Sequence, residues 1–204
     1  MRTWVILRSA GIGAYLMMFL SVAWGLVGTS AALGRRVSKA SAVLIHQFFS
    51  TCGLLLLGIH VGGLLIDPFM PFGAAEILIP GAASYRPAAT AFGVIAMYAI
   101  VVVLVTSWIR KRIGTTWWRR MHLLAVPAFV LSLAHGVFSG TDSTRPWMWW
   151  MYVVTGSAVV FLVVLRGLTA GHRPERAVRD VVTRQVAPRS AAKSASRQMV
   201  SESQ

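Results

Sequence analysis

IHQFFSTCGLLLLGIHVGG, residues 45–63, and its counterpart MHLLAVPAFVLSLAHGV, residues 121–137, are apolar enough to lie in hydrocarbon, yet each carries two histidines. His46 and His60 are fourteen residues apart; His122 and His135 are thirteen apart. An imidazole within a membrane is costly and is normally kept for function, so four of them in matched pairs call for a shared partner. Working outward, further apolar runs occupy residues 11–30, 88–109 and 147–168, each close to the roughly 20 residues that span about 30 Å of hydrocarbon. With 56% hydrophobic and 13% charged residues and a mean hydropathy of +0.65, the 204-residue chain reads as all-α. The expected architecture is a polytopic membrane helix bundle of five transmembrane helices.

The basic residues orient it. With the N-terminus outside, 16 of the 20 basic residues fall on the cytoplasmic side: Arg35, Arg36 and Lys39, then Arg110 to Arg120, then the tail from Arg166. Only Arg2, Arg8, Arg86 and Arg145 lie outside, with Asp67, Glu76 and Asp142. The formal charge of +14 is thereby a topology signal, and nucleic-acid binding is not needed to explain it. The single cysteine, Cys52, excludes an intrachain disulfide and reads as packing. Residues 11–30 lack a clear cleavage site and read as a membrane helix, not a signal peptide. Gly11-x-Gly13 opens a membrane run without a preceding strand, so it reads as packing and not as a nucleotide loop.

In that topology the helices carrying the histidines run parallel, which sets His46 beside His122 at the inner level and His60 beside His135 at the outer one. At 1.5 Å per residue the levels are about 21 Å apart on one helix and about 19.5 Å on the other. Haem iron is the partner that fits, since a porphyrin between the helices takes one imidazole on each face. At about 100° per residue His60 returns to within about 40° of His46, whereas His135 falls about 140° from His122. Pro127, which leaves the Leu123 carbonyl without its usual donor, is expected to kink or tighten the helix and redirect the second ligand. Gly53 shares the face of His46 and His60, and Gly58, Gly62 and Gly63 make room near His60. Each imidazole needs an acceptor for its second nitrogen. The carbonyls four residues earlier, of Ala42, Leu56, Trp118 and Leu131, are the expected ones.

This paired spacing, with a basic loop before the second pair, resembles the ferric-reductase-like transmembrane domain, a family that includes the membrane part of NADPH oxidases and the haem-binding membrane subunit of a bacterial methionine-sulfoxide reductase system. The resemblance covers roughly residues 11–168. It implies two b-type haems, the inner held by His46 and His122 and the outer by His60 and His135, in a cytochrome that passes single electrons across the membrane. Many family members have six helices, with ligands on the third and fifth, where this chain is expected to have five. Larger members continue into flavin and nicotinamide domains. The 36 or so residues after the last helix are too few for one, so a separate cytoplasmic flavoprotein or other donor is expected, with an unidentified outer acceptor.

The expected organisation is a short outer segment (1–10), the haem-binding bundle (11–168) and a basic cytoplasmic tail (169–204), part amphipathic around 176–184 and suited to anionic lipid. Propionate partners would be Lys39, Arg119 and Arg120 inside and Arg86 and Arg145 outside. Phe129 and Ala128, opposite Gly53, would fill the space between the haems or simply pack the core. The long, proline-rich connection from Asp67 to Pro87 is expected to be an ordered outer cap. Trp147, Trp149 and Trp150, with Trp117 and Trp118, read as interfacial belts. His172 lies in the polar tail and has no ligand role. Arginine-rich composition points to a GC-rich bacterial genome and the cell membrane. Two other readings use the same residues: a transporter or proton relay, weakened by the lack of carboxylates in the spans, and a membrane anchor for a redox partner.

Overall fold

A computed structural model describes residues 2–28, 37–68 and 72–170. Among them the chain forms seven helices and no strand: α1 (Arg2–Val27), α2 (Lys39–Leu64), α3 (Ala74–Leu78), α4 (Pro87–Trp108), α5 (Arg110–His122), α6 (Ala125–Ser139) and α7 (Pro146–Ala170). Five segments are long and apolar enough to cross a membrane: Thr3–Val27, Lys39–Leu64, Pro87–Trp108, Arg110–Ser139 and Pro146–Thr169. The chain is a multi-pass membrane protein, all-helical as its apolar runs predict. It divides into a unit Met1–Leu162 and a unit Val163–Gln204. The first holds the bundle; of the second, the end of α7 is described. Arg35, Arg36, Pro71, His172 and the 176–184 stretch lie outside the described residues.

The helix boundaries follow from local chemistry. α1 begins nine residues before the apolar run, because Arg8 has partners that let the helix run through it. Its guanidinium pairs with Asp142 at 2.8 Å, donates to Thr141 Oγ1 and lies 4.0 Å from the Trp4 ring centre. Residues expected to form an outer extension are thus the first turns of α1. Ser38, with extended backbone, caps α2 by accepting the Ser41 amide at 3.0 Å. Pro87 occupies the start of α4, where its missing N–H costs nothing. The basic loop of the sequence reading is helix α5, bent at Gly114, whose φ of 79° is accessible to glycine.

Packing places α1 at the centre, against α2 on one side and α6 on the other, with α6 also against α4. Tyr15, Val22, Phe129, Met148, Tyr152 and Val159 form the core. In lipid no hydrophobic drive favours helix association, so close packing and interhelical hydrogen bonds must supply it. Tyr15 supplies both: it stacks on Phe129 with ring centres 5.5 Å apart and its hydroxyl shares a 2.5 Å hydrogen bond with Thr155. Each such bond is worth about 0.6–2 kcal/mol within a bilayer.

The Asp67–Pro87 connection is the ordered cap expected of it over its described part. Asp67 is buried, Tyr98 Oη donates to the Leu78 carbonyl at 2.5 Å, and Tyr85 Oη donates to Ser139 O at 3.2 Å, joining cap to α4 and α6. Within it the Glu76 carboxylate accepts from the Ser84 hydroxyl (2.5 Å), the Ser84 amide (2.7 Å) and the Gly73 amide (2.9 Å). The two Ser84 bonds chiefly, then Gly73, hold its pKa below the usual carboxylate range. A depressed folded-state value means that this contribution is full above the unfolded pKa and is lost as pH falls through the folded one. Acidification into that range should loosen the cap, read as faster proteolysis at residues 72–86, and Glu76→Gln should bring the same susceptibility to neutral pH. Equal cleavage of the two proteins at neutral pH would count against this anchor.

Candidate functional site

α1 and α2 are antiparallel and meet in a seven-residue register: Leu7, Ala14 and Ser21 on α1 face His60, Gly53 and His46 on α2. A Cβ on Gly53 would sit 3.3 Å from Met17 Cβ and 3.8 Å from the Ala14 carbonyl oxygen, so glycine there allows the two backbones to come close. On either side of that contact the histidines reach α1. His46 Nδ1 lies 3.0 Å from Ser21 O, and His60 Nδ1 lies 2.9 Å from Leu7 O. On the other side of the bundle His135 Nδ1 lies 2.9 Å from Ala89 O of α4.

A carbonyl can only accept, so in each case Nδ1 carries the proton. The neutral imidazole then holds its lone pair on Nε2, the tautomer of a metal ligand whose second nitrogen is held by a backbone carbonyl. Ser21 Oγ, 3.2 Å from His46 Nδ1, and Ser139 Oγ, 3.3 Å from His135 Nδ1, add hydroxyls at the same atoms. Ser50 continues the first set, bonding Ser21 Oγ and the His46 carbonyl, both at 2.8 Å.

The His46 and His122 rings come together as their spacing predicts, 5.9 Å apart, centre to centre, and inclined at 63°. Yet α2 and α6, the helices bearing three of the four rings, are not among the closely packed pairs.

The expected break near Pro127 is present. α5 ends at His122 and α6 begins at Ala125, with Leu123 and Leu124 between them. The Leu123 carbonyl, deprived of the Pro127 donor, accepts the Val126 amide at 3.2 Å, a tightened turn. His122 and His135 thus belong to different helices, and the 140° mismatch of an unbroken helix does not apply.

Two expectations are corrected. The acceptors of the ring N–H groups are not the carbonyls four residues earlier; Ala42 O takes the Trp24 indole N–H at 2.9 Å. Three acceptors come instead from neighbouring helices, and His122 Nδ1 is buried with no partner, its ring lying 5.2 Å from that of Trp118. Phe129 does not face Gly53 either. α1 lies opposite Gly53, and Phe129 packs on Tyr15 and Phe19 of that helix. Gly11 and Gly25 of α1 repeat the fourteen-residue spacing of His46 and His60, a coincidence that acquires meaning once the two helices are seen side by side.

The candidate cations lie at the rim. Arg86 donates to Phe138 O at 2.5 Å, tying the start of α4 to the end of α6 beside an apolar groove lined by Ala89, Phe92 and Phe138. Arg120 lies 5.3 Å from the Trp117 ring centre, and Lys39, Arg119 and Arg145 are exposed.

The family model for the ferric reductase like transmembrane component matches residues 10–133, from the third turn of α1 to within two residues of His135. No curated protein and no solved structure matches the chain. That match covers more than half of the sequence and contains α2, α4 and α5 whole, with three of the four histidines. The chain belongs to the ferric-reductase-like transmembrane family, whose members often bind haem, and is a membrane oxidoreductase component.

Proposed function

We propose that the protein is a transmembrane b-type cytochrome, with His46 and His122 as axial ligands of one haem and His60 and His135 of a second. The observation that carries this reading is the set of three imidazoles whose Nδ1–H groups are held by carbonyls of neighbouring helices, which leaves Nε2 of each available to iron. The donor set fits haem better than a bare ion. Among the described residues no three His, Cys, Asp or Glu side chains converge, and two imidazoles alone cannot complete the shell of a protein-held metal. A porphyrin supplies the remaining four nitrogens.

Haem bound in this way supplies single-electron exchange at its edge, with no open axial site for substrate. The chain's own residues hold the ring nitrogens in one tautomer, space the two levels along the bundle and surround them with an apolar core. The charge bias of the loops puts the His46 and His122 level towards the cytoplasm and the His60 and His135 level outside, with the basic tail on anionic lipid. Electrons would enter from a cytoplasmic donor and leave to an outer acceptor. We place the protein in a bacterial cell membrane.

A dithionite-reduced minus oxidised spectrum of the detergent-purified protein, with haem quantified per chain, tests this directly. A b-type spectrum with two haems per chain is the expected result. Absence of haem after expression with ample haem supply would overturn it and favour a transporter or an anchor.

A further inference from the structure

Each of the three carbonyls that receive a histidine N–H is followed four residues later by glycine: Leu7 by Gly11, Ser21 by Gly25, and Ala89 by Gly93. One helical turn on from a carbonyl, the side chain of residue i+4 stands beside the path to that oxygen. A Cβ on Gly93 would lie 2.8 Å from His135 Nδ1 and 2.9 Å from Cε1; on Gly11 it would lie 3.0 Å from both the Nδ1 and Cε1 of His60. On Gly25 it would lie 3.6 Å from His46 Cε1, an ordinary contact. Glycine inside a helix is destabilising by about 0.5–1 kcal/mol relative to alanine, and at these positions an imidazole edge fills the space that results.

We propose that Gly11 and Gly93 are positioning residues, each forming with the carbonyl four residues earlier a notch that seats one histidine ring edge-on and fixes its Nε2 as the ligating nitrogen, whereas the looser contact at Gly25 has room for a methyl group. The fourth histidine supplies the contrast. Thirteen residues after Ala89, the spacing that separates His122 from His135, comes Val102, and the residue four beyond it is Thr106. The Thr106 hydroxyl itself donates to Val102 O at 2.7 Å. Threonine thus stands where the other three carbonyls have glycine, and His122 Nδ1 has no partner. The three histidines with glycine at that position are the three with a carbonyl bond.

This inference rests on the haem reading above, and its test separates the two. Gly93→Ala, Gly11→Ala and Gly25→Ala are purified in detergent beside Gly156→Ala and Gly167→Ala on α7, where a Cβ meets only Leu133 Cδ1 at 3.4 Å or nothing within 4 Å. The readouts are haem retained per chain against a competing haem-binding protein, and the low-spin ferric EPR signal, both taken on the monodisperse fraction. Loss of a ligand's outer partner typically weakens binding about 10–100-fold, and that loss is expected for Gly93→Ala at the outer haem. Gly11→Ala should show a smaller loss at the same haem, while Gly25→Ala and the two controls should match wild type. If Gly93→Ala yields no monodisperse protein, the comparison of Gly11→Ala with Gly25→Ala decides, since both lie on α1. Haem retention and EPR signals unchanged in Gly93→Ala and Gly11→Ala would overturn the notch while leaving the cytochrome reading intact. Losses in the controls as large as in Gly93→Ala would overturn it too, whereas wild type without haem would end both proposals.

Discussion

Replacing His135 with alanine is expected to abolish the low-spin signature of one haem of the two and to leave the bundle folded. The substitution removes one interhelical hydrogen bond, to Ala89, worth about 0.6–2 kcal/mol in a bilayer, and creates a cavity beside Gly93. Neither loss approaches the roughly 5–15 kcal/mol by which a protein of this size is normally stable. Iron coordination, by contrast, depends on both ligands of a pair. Removing one leaves a haem that is either released or five-coordinate and high-spin, and both outcomes eliminate the low-spin EPR signal at that level. His60→Ala should affect the same haem, and the double variant should be no worse than either single one, because residues acting as a unit are not additive. His46→Ala and His122→Ala should affect the other haem. Two unperturbed low-spin signals in purified His135→Ala would remove His135 from the ligand set. A chain that supports its partner's redox function without His60 or His135 would fit the anchor reading instead.

The reach of the sequence can be judged from these same residues. Fourteen- and thirteen-residue spacings within apolar runs were sufficient to bring His46 beside His122, because helix rise is constant and membrane thickness limits tilt. The break before Pro127 was legible for a similar reason: a missing N–H is a local covalent fact, and its consequence falls on a known carbonyl. The partners of the rings were not legible. Which carbonyl accepts His60 Nδ1 depends on the register between α1 and α2, and register is set by close approach at Gly53, a long-range contact with no local signature. α1 itself gave little warning, since its apolar residues are spread around the helix and Arg8 reads as a flank. Its contacts with Thr141 and Asp142, more than 130 positions away, let the helix run through Arg8. The glycines at 11, 25 and 93 were visible as residues, but their meaning depends on which ring fills the space.

Phe129→Ala should be the most destabilising single substitution in the core, and it should do so without changing haem content. Phe129 is the largest fully buried side chain among the described residues, 1% exposed, held between Tyr15 at 5.5 Å and Phe19 at 6.1 Å. In a water-soluble protein the change would cost about 3–5 kcal/mol, part of it transfer of apolar surface from water. Lipid tails are as apolar as the core, so that part falls away and the loss is dispersion contact with α1 plus the cavity left behind. An expected cost of about 2–3 kcal/mol follows, and at about 2–4 °C per kcal/mol it lowers the Tm in detergent by roughly 5–10 °C. Val130→Ala, next in sequence but half exposed towards the bundle surface, should stay within about 0.5 kcal/mol of wild type. Because Phe129 packs on α1 and not on the histidine pairs, the ferric EPR signals and the haem per chain should be unchanged in Phe129→Ala. Slower electron transfer between the two levels with an unaltered Tm would instead assign the ring to the space between the haems. The α1–α6 contact would then have to be held by Val126 and Leu133, packed against the same core, and by the Ser132 hydroxyl 4.0 Å from Met18 Sδ.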